Sequence, residues 1–172
     1  MAITLDKSHQ EDHLGLAMRL EELDVTSLYI GTVKQPAAAD KYVAVADANY
    51  TALVLNSGKT HVIANVSADR TITLPSPTAG LNFKFITSIV AADGHDWIFD
   101  TGSDTNFYLG GLVFLDTDTD VIATAAGNGT ADSKLQVNLP DAGTTINFLG
   151  DGTHWILDGH VNSATAPSWA GQ

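Results

Sequence analysis

The chain of 172 residues lacks cysteine altogether, and this absence excludes several kinds of chemistry. Without a thiol there is no cysteine nucleophile, no disulfide bond and no thiolate ligand for zinc. Long hydrophobic runs are missing too, since no stretch approaches the roughly 18 apolar residues of a membrane-spanning helix. The first residues, MAITLDKSHQEDH, are polar and acidic where a signal peptide would be basic and then apolar. We therefore expect a protein that is made and used without secretion.

Basic residues are also scarce. Eight lysines and arginines stand against 20 aspartates and glutamates, so the formal net charge is −12 at pH 7. A chain this acidic repels the phosphates of nucleic acids and of anionic lipids. We therefore expect no nucleic acid and no membrane among its partners, which leaves proteins, cations and neutral groups.

The acidic residues that are present change type along the chain. All three glutamates lie in the first 22 residues, and every later acidic residue is aspartate. Glutamate favours helices, and here SHQE is typical of a helix-capping box. Beyond it, Leu16, Leu20 and Leu23 recur at the spacing of one helix face. This pattern predicts an N-terminal arm over residues 1–41 with one amphipathic helix over about residues 9–23.

One apolar stripe cannot form a core of its own. The three leucines are therefore candidate partner-binding residues, which contact either their own β domain or a neighbouring subunit.

From Tyr42 onward the hydrophobic period becomes two, and short runs of Val, Ile, Thr and aromatic residues alternate with turn residues. The absence of helical windows predicts a mainly β fold, an antiparallel β-sandwich or barrel, over residues 42–163. A flexible C-terminal tail is expected over residues 164–172. Alternation places Ile72 and Leu74 inside this fold.

Two segments of the β region resemble each other. LPSPTAGLNF (74–83) and LPDAGTTINF (139–148) share Leu-Pro, Ala-Gly and Asn-Phe in the same order. Each is typical of a strand that ends at proline, a glycine turn and a return strand. We interpret the pair as a repeated hairpin, since two copies at unequal spacing are too few for a repeat fold.

A phosphate-binding loop is suggested by Ser57-Gly58-Lys59-Thr60 and then excluded by its surroundings. The motif requires a glycine five residues before Gly58, where this chain has Leu53, and it requires a helix directly afterwards. The next residues, THVIANV, are typical of a strand. The sequence therefore predicts a hairpin turn at residues 56–59.

Metal binding has two candidate motifs. In HQEDH, His9 and His13 share a helix face, but Gln10 stands where a zincin has glutamate and no third ligand is evident, which favours an exposed polar face. In DTDTD, Asp116, Asp118 and Asp120 would project from the same side of an extended segment. This second motif is a candidate site for a structural divalent cation, and the alternative is a solvated acidic edge that discourages strand addition.

Catalytic motifs are not evident. There is no G-x-S-x-G sequence, and no histidine has a recognisable nucleophile near it in the sequence. Aspartates concentrate in turns, as turn chemistry alone requires. We expect no enzyme, although a metal-dependent hydrolase that uses the Asp116–Asp120 segment stays open as an alternative.

Two long segments carry a resemblance to a known class. SGKTHVIANVSADRTITLPSPTAGLNFKFI and FLGDGTHWILDGHV resemble segments of tailed-bacteriophage virion proteins, within residues 50–163. Those proteins combine an S-G-K-T turn, a T-x-T-L-P strand, an A-G-L-x-F return and a late G-D-G-x-x-W strand. The resemblance implies a structural, oligomeric and non-enzymatic protein of the capsid decoration (cement), head-fibre or tail-fibre type, and we expect it to have no cofactor.

The resemblance and the acidic composition together suggest a location on the outer capsid surface of the virion, after synthesis in the host cytoplasm. The expected partners are the major capsid protein and further copies of this chain in a homotrimer. The alternative is a fibre tip that recognises carbohydrate or host, with Trp97, Tyr108, Trp155 or Trp169 stacked on sugar rings. For Trp97 and Trp155, burial in the core is the commoner outcome.

Overall fold

The computed structural model describes residues 28–30, 33–35, 41–89 and 94–172. The chain divides into two compact units, Met1–Gln35 and Pro36–Gln172. In the first unit, β1 (Leu28–Ile30) pairs with β2 (Val33–Gln35) in an antiparallel two-stranded sheet. The helix predicted over residues 9–23 lies outside the described residues, together with Leu16, Leu20 and Leu23.

The second unit consists of two packed β-sheets. The first has seven strands, in the order β10 (Val121–Asn128), β9 (Phe107–Asp116), β13 (His154–Ser163), β12 (Thr145–Gly150), β7 (Asn82–Thr87), β5 (Thr60–Ile63) and β3 (Tyr42–Val45). The second has five strands, in the order β14 (Ser168–Ala170), β11 (Lys134–Val137), β8 (Trp97–Asp100), β6 (Arg70–Thr73) and β4 (Tyr50–Thr51). The prediction of a mainly β sandwich is thereby confirmed.

The chain crosses from one sheet to the other after almost every strand. Strands β3, β5 and β7 lie in the seven-stranded sheet, whereas β4, β6 and β8 lie in the five-stranded sheet. Between two successive strands of one sheet in this region, the chain crosses to the other sheet and back. The later strand therefore runs parallel to the earlier one. β3–β5, β5–β7, β4–β6, β6–β8 and β9–β13 are all parallel pairs. The sheets are therefore mixed, and the expectation of a purely antiparallel fold was wrong.

The crossing between sheets also determines what the two similar segments, 74–83 and 139–148, connect. Residues 74–83 link β6 in the five-stranded sheet to β7 in the seven-stranded sheet, and residues 139–148 likewise link β11 to β12. Both segments are sheet-to-sheet connections, and neither is the hairpin that we expected. Their return strands are neighbours, with Phe83 paired opposite Phe148.

The core lies between the sheets and is rich in aromatic side chains. Phe99 of the five-stranded sheet packs against Phe85 and Phe148 of the seven-stranded sheet, with ring centroids 5.1 and 5.2 Å apart. Ile72 and Leu74 are buried, as the alternation of β6 predicted. Large buried aromatic surfaces of this kind dominate the stability of a sandwich.

The C-terminal segment differs from the expected flexible tail. Within residues 164–172, β14 pairs with β11, and Trp169 packs against the core with its ring 5.9 Å from that of Tyr108. A buried aromatic contact therefore anchors residues that carry only a weak strand pattern. In the described part of the chain we find no helix long and apolar enough to cross a membrane.

Candidate interaction surface

The motifs behind the phage resemblance meet at one end of the sandwich. The indole Nε1 of Trp155 donates to the carbonyl of Pro75 at 3.1 Å. Nearby, the amide of Gly150 donates to the carbonyl of Leu81, and the amide of Gly80 donates to that of Gly150. These bonds join the TLPSPTAGL segment to the GDGTHW segment. The two motifs thus form a structural junction of the β domain.

The segment Ser57–Thr60 forms a turn, but the turn is not a hairpin. It follows a short 3₁₀ helix (Val54–Asn56) and leads from the five-stranded sheet into β5. Gly58 adopts a φ of +82°, and the hydroxyl of Ser57 accepts a hydrogen bond from the amide of Asn82 at 3.0 Å. A strand follows the lysine where a phosphate-binding loop requires a helix. The phosphate-binding interpretation therefore stays excluded.

The three aspartates of DTDTD do not lie along an extended strand. Asp116 ends β9, and the next four residues form a tight turn in which Asp120 has a φ of +56°. The Asp116 carboxylate accepts hydrogen bonds from the amides of Asp118 and Thr119 at 3.0 and 3.2 Å. The Thr119 hydroxyl and these amides lower the pKa of Asp116. This carboxylate therefore stabilises the turn.

Among the described residues, the fold does not complete the candidate cation site at Asp116, Asp118 and Asp120. Across residues 41–89 and 94–172, no group of three or more His, Asp or Glu side chains is arranged to hold a metal ion. The candidate metal residues His9 and His13 lie outside the described residues.

The aromatic residues considered for sugar binding are inside the protein. Trp97, Tyr108 and Trp155 are buried, and Trp169 is half-buried against the core. A stacking platform for sugar requires an exposed ring face, which the three buried residues do not offer. Of the four residues named for the carbohydrate-recognition alternative, only Trp169 keeps part of its ring exposed.

Large apolar side chains lie on the outer face of the seven-stranded sheet. Leu149 of β12 is paired with Ile156 of β13, which is paired in turn with Leu109 of β9. Their exposed fractions are 46%, 37% and 42%. We call these three residues the outer-face patch. A contiguous exposed apolar patch is typical of a protein-binding surface.

A second exposed apolar group is the connection between β4 and β5. Leu53, Val54 and Leu55 are consecutive, and the exposed fraction of Leu55 reaches 72%. A regular strand over TALVL would instead bury every second residue. The short 3₁₀ turn removes that alternation and leaves all three side chains in solvent.

Sequence reasoning missed one long element and the environment of one histidine. The composition of residues 125–129, AAGNG, is typical of a turn, but they belong largely to β10. His61 is a polar residue without a recognisable motif around it, and it is fully buried. A signal for its burial was present, because His61 shares its strand face with the buried Ile63.

Comparisons with known proteins add no family assignment. No protein-family model matches the chain, and no curated protein is significantly similar to it in sequence.

Proposed function

We propose that this protein is a structural virion protein that decorates and stabilises the outer surface of a tailed-bacteriophage capsid. It binds the major capsid protein at many equivalent sites and associates with itself as a homotrimer. The resemblance of two segments to phage virion proteins supports the proposal. The junction that joins those segments explains why a stable β domain of this type contains both of them.

The observation that carries the proposal is the outer-face patch of Leu109, Leu149 and Ile156. The patch lies on the outer face of a sheet, where its apolar side chains suit contact with a protein surface. Repetition over many copies on one particle allows modest contacts at each site to sum to stable binding. The net charge of −12 keeps the domain on the side of the shell away from packaged DNA.

Antibody labelling of intact particles tests the location. An antibody against residues 42–172 should label the head densely and regularly in electron micrographs of virions. Label confined to the tail or to a single vertex would move the protein to a fibre role. Unlabelled particles would remove the virion function altogether.

A matched pair of variants tests the surface. Ile156→Ser should lower the occupancy of the protein on particles that lack it, because the change removes an apolar contact from the outer-face patch. Asn147→Ser is the control, since Asn147 is a polar residue on the same face of the sheet. Equal occupancy for both variants would show that the patch does not bind the shell.

A further inference from the structure

Strand β10 is the least protected sheet edge of the β unit. It spans eight residues, whereas the other three edge strands, β3, β14 and β4, span four, three and two residues. Proteins usually blunt a free edge by shortening it or by placing lysine, proline or a bulge on it. The sequence of β10, VIATAAGN, contains no charge and no proline. A long, uncharged edge is a template for the addition of another strand.

The register of the β9–β10 hairpin identifies which backbone groups point outward. The Gly129 amide donates to the Tyr108 carbonyl at 2.8 Å, which continues the register that opposes Gly127 to Gly110. Alternate residues of an antiparallel strand bond to the same neighbour, so Val121, Ala123, Ala125 and Gly127 bond to β9. The amides and carbonyls of Ile122, Thr124 and Ala126 therefore point away from the sheet.

The free edge has a defined end. The outward amide of Asn128 donates to the Asp132 carboxylate at 2.9 Å, so a side chain of the same chain already occupies it. For Ile122, Thr124 and Ala126, we find no partner for the outward backbone groups within the described residues. An open stretch of five residues, 122–126, results.

Both faces of this stretch are accessible. The exposed fractions of Val121 and Ile122 are 56% and 70%, although their side chains lie on opposite faces of the sheet. Ala123 and Thr124 are exposed as well. The beginning of β10 therefore extends past the five-stranded sheet. Small side chains along the strand leave room for another backbone to approach.

We propose that β10 pairs antiparallel with β10 of a second copy of this chain, through a twofold contact that is separate from the threefold contact of the proposed homotrimer. With Thr124 on the twofold axis, Ile122 of each copy lies opposite Ala126 of the other, and the two threonines face each other. This register forms about six backbone hydrogen bonds between the copies. Cross-strand threonine pairs are favourable, and no charge lies opposite a like charge within residues 122–126.

The uncharged character of β10 favours a second copy as its occupant. In a chain of net charge −12, most surfaces would repel an identical surface. Within residues 122–126, β10 can face its own copy without placing carboxylates side by side, although the same register brings Asp120 of one copy towards Asn128 of the other, whose amide binds the Asp132 carboxylate. The remaining repulsion between the two acidic domains is long-ranged, so association should strengthen as salt rises from about 0.01 M to about 0.5 M.

Sedimentation equilibrium of the full chain tests the pairing. We expect a concentration-dependent doubling of mass, from the 18.1 kDa chain to a dimer or, where the proposed trimer forms first, from trimer to hexamer. Thr124→Pro removes an outward amide donor that β9 does not use, and it should weaken dimerisation by about tenfold or more. Thr124→Lys should weaken it similarly, although it reduces the net negative charge. Val113→Lys is the matched control, because Val113 lies opposite Thr124 on the same face but away from the edge.

Hydrogen exchange of the wild-type chain is independent of any variant. The amides of Ile122, Thr124 and Ala126 should gain protection as concentration rises, while amides of the β13–β12 pair stay unchanged. Protection that is already full in the monomer would show that the same chain covers the edge, and this would overturn the proposal. The proposal would also be overturned if the mass did not double at any concentration, or if both Thr124 variants kept the same doubling.

This inference does not depend on the virion function. A trimer unaffected by the Thr124 variants would refute the β10 pair and agree with the proposed capsid role. If the chain forms the β10 pair but the antibody never detects it on particles, the β10 pair is supported and the proposed capsid role is refuted.

Discussion

His61 is a titratable side chain inside the aromatic core, with an exposed fraction of 0%. Its ring lies 4.7 Å from that of Phe85 and 5.6 Å from that of Phe83, and neither ring nitrogen makes a well-formed hydrogen bond. Burial lowers the pKa of His61 below its ordinary 6.5, against a smaller opposing effect of the backbone carbonyls of Lys59 and Lys84. The folded protein thus holds this imidazole neutral.

This burial predicts a specific loss of stability in mild acid. As the pH falls through about 6.5, the unfolded chain takes up a proton at His61 that the folded chain does not, so the free energy of unfolding decreases. The decrease ends once the pH passes below the lowered folded pKa. In urea titrations between pH 7.5 and 5, we expect His61→Leu to show a smaller decrease than wild type.

Ile63→Val supplies a control, because it alters the same buried strand face as His61 without removing a titratable group, and it should retain the wild-type pH dependence. Identical pH profiles for wild type and His61→Leu would show that His61 does not couple protonation to folding.

Gly159 illustrates a backbone requirement at the scale of one residue. Its φ is +145°, and a Cβ atom would lie 2.2 Å from the carbonyl oxygen of Thr145 in the neighbouring strand. Gly159→Ala should therefore lower the free energy of unfolding by more than about 1 kcal/mol. Gly94→Ala is the matched control, because a Cβ there meets no atom within 4 Å. Equal denaturation midpoints for the two variants would contradict the tight approach.

At the scale of elements, two buried tryptophans separate the effect of packing from that of a hydrogen bond. Trp155 of β13 donates to Pro75 in the connection between β6 and β7, whereas the indole nitrogen of Trp97 in β8 has no hydrogen-bond partner among the described residues. Both side chains are almost fully buried. Replacement by phenylalanine removes similar volume at each position, but only Trp155→Phe leaves a carbonyl without its donor.

We accordingly expect Trp155→Phe to destabilise the protein by about 1 kcal/mol more than Trp97→Phe does. Guanidinium titrations followed by circular dichroism measure both values. A larger loss for Trp97→Phe would show that core volume outweighs the junction between the two motifs.

At the scale of the whole molecule, negative charge opposes compactness. With a net charge of −12, the carboxylates repel one another more strongly in the folded state than in the expanded chain. The melting temperature should therefore be higher in about 0.5 M sodium chloride than in about 0.01 M, since salt screens this repulsion. Measurements at low protein concentration keep self-association out of the comparison.

Neutralisation of exposed aspartates gives the control for this charge effect. The double variant Asp104→Asn/Asp118→Asn should show a smaller salt response than wild type, because both residues are exposed to solvent. A melting temperature that falls with salt would contradict charge repulsion as a destabilising force.

The local pattern of the sequence predicted the strands well because each strand has one buried face. The alternation at β6 placed Ile72 and Leu74 in the core, and both are buried there. Local pattern failed where the environment is unusual. Most side chains of β10 are exposed to solvent, so its sequence carries little alternation, and AAGNG looked like a turn.

The candidate sites also divide into those that local sequence predicts and those that only the tertiary structure forms. Turn chemistry at Ser57–Lys59 could be read from the residues, because glycine and serine act on their immediate neighbours. The outer-face patch could not be read in this way. Its members Leu109, Leu149 and Ile156 come from three strands, and only the register of β9, β13 and β12 brings them together.

The sequence by itself determined that the chain is acidic, free of cysteine and mainly β, because composition and a period of two require no knowledge of distant contacts. It also determined which side of each regular strand faces the core. Tertiary structure alone decided which strands are neighbours, since a glycine turn can close a hairpin or carry the chain to the opposite sheet. Because the two sheets pack around one aromatic core, most turns carry the chain to the opposite sheet. This arrangement produced the parallel pairs and the free edge of β10.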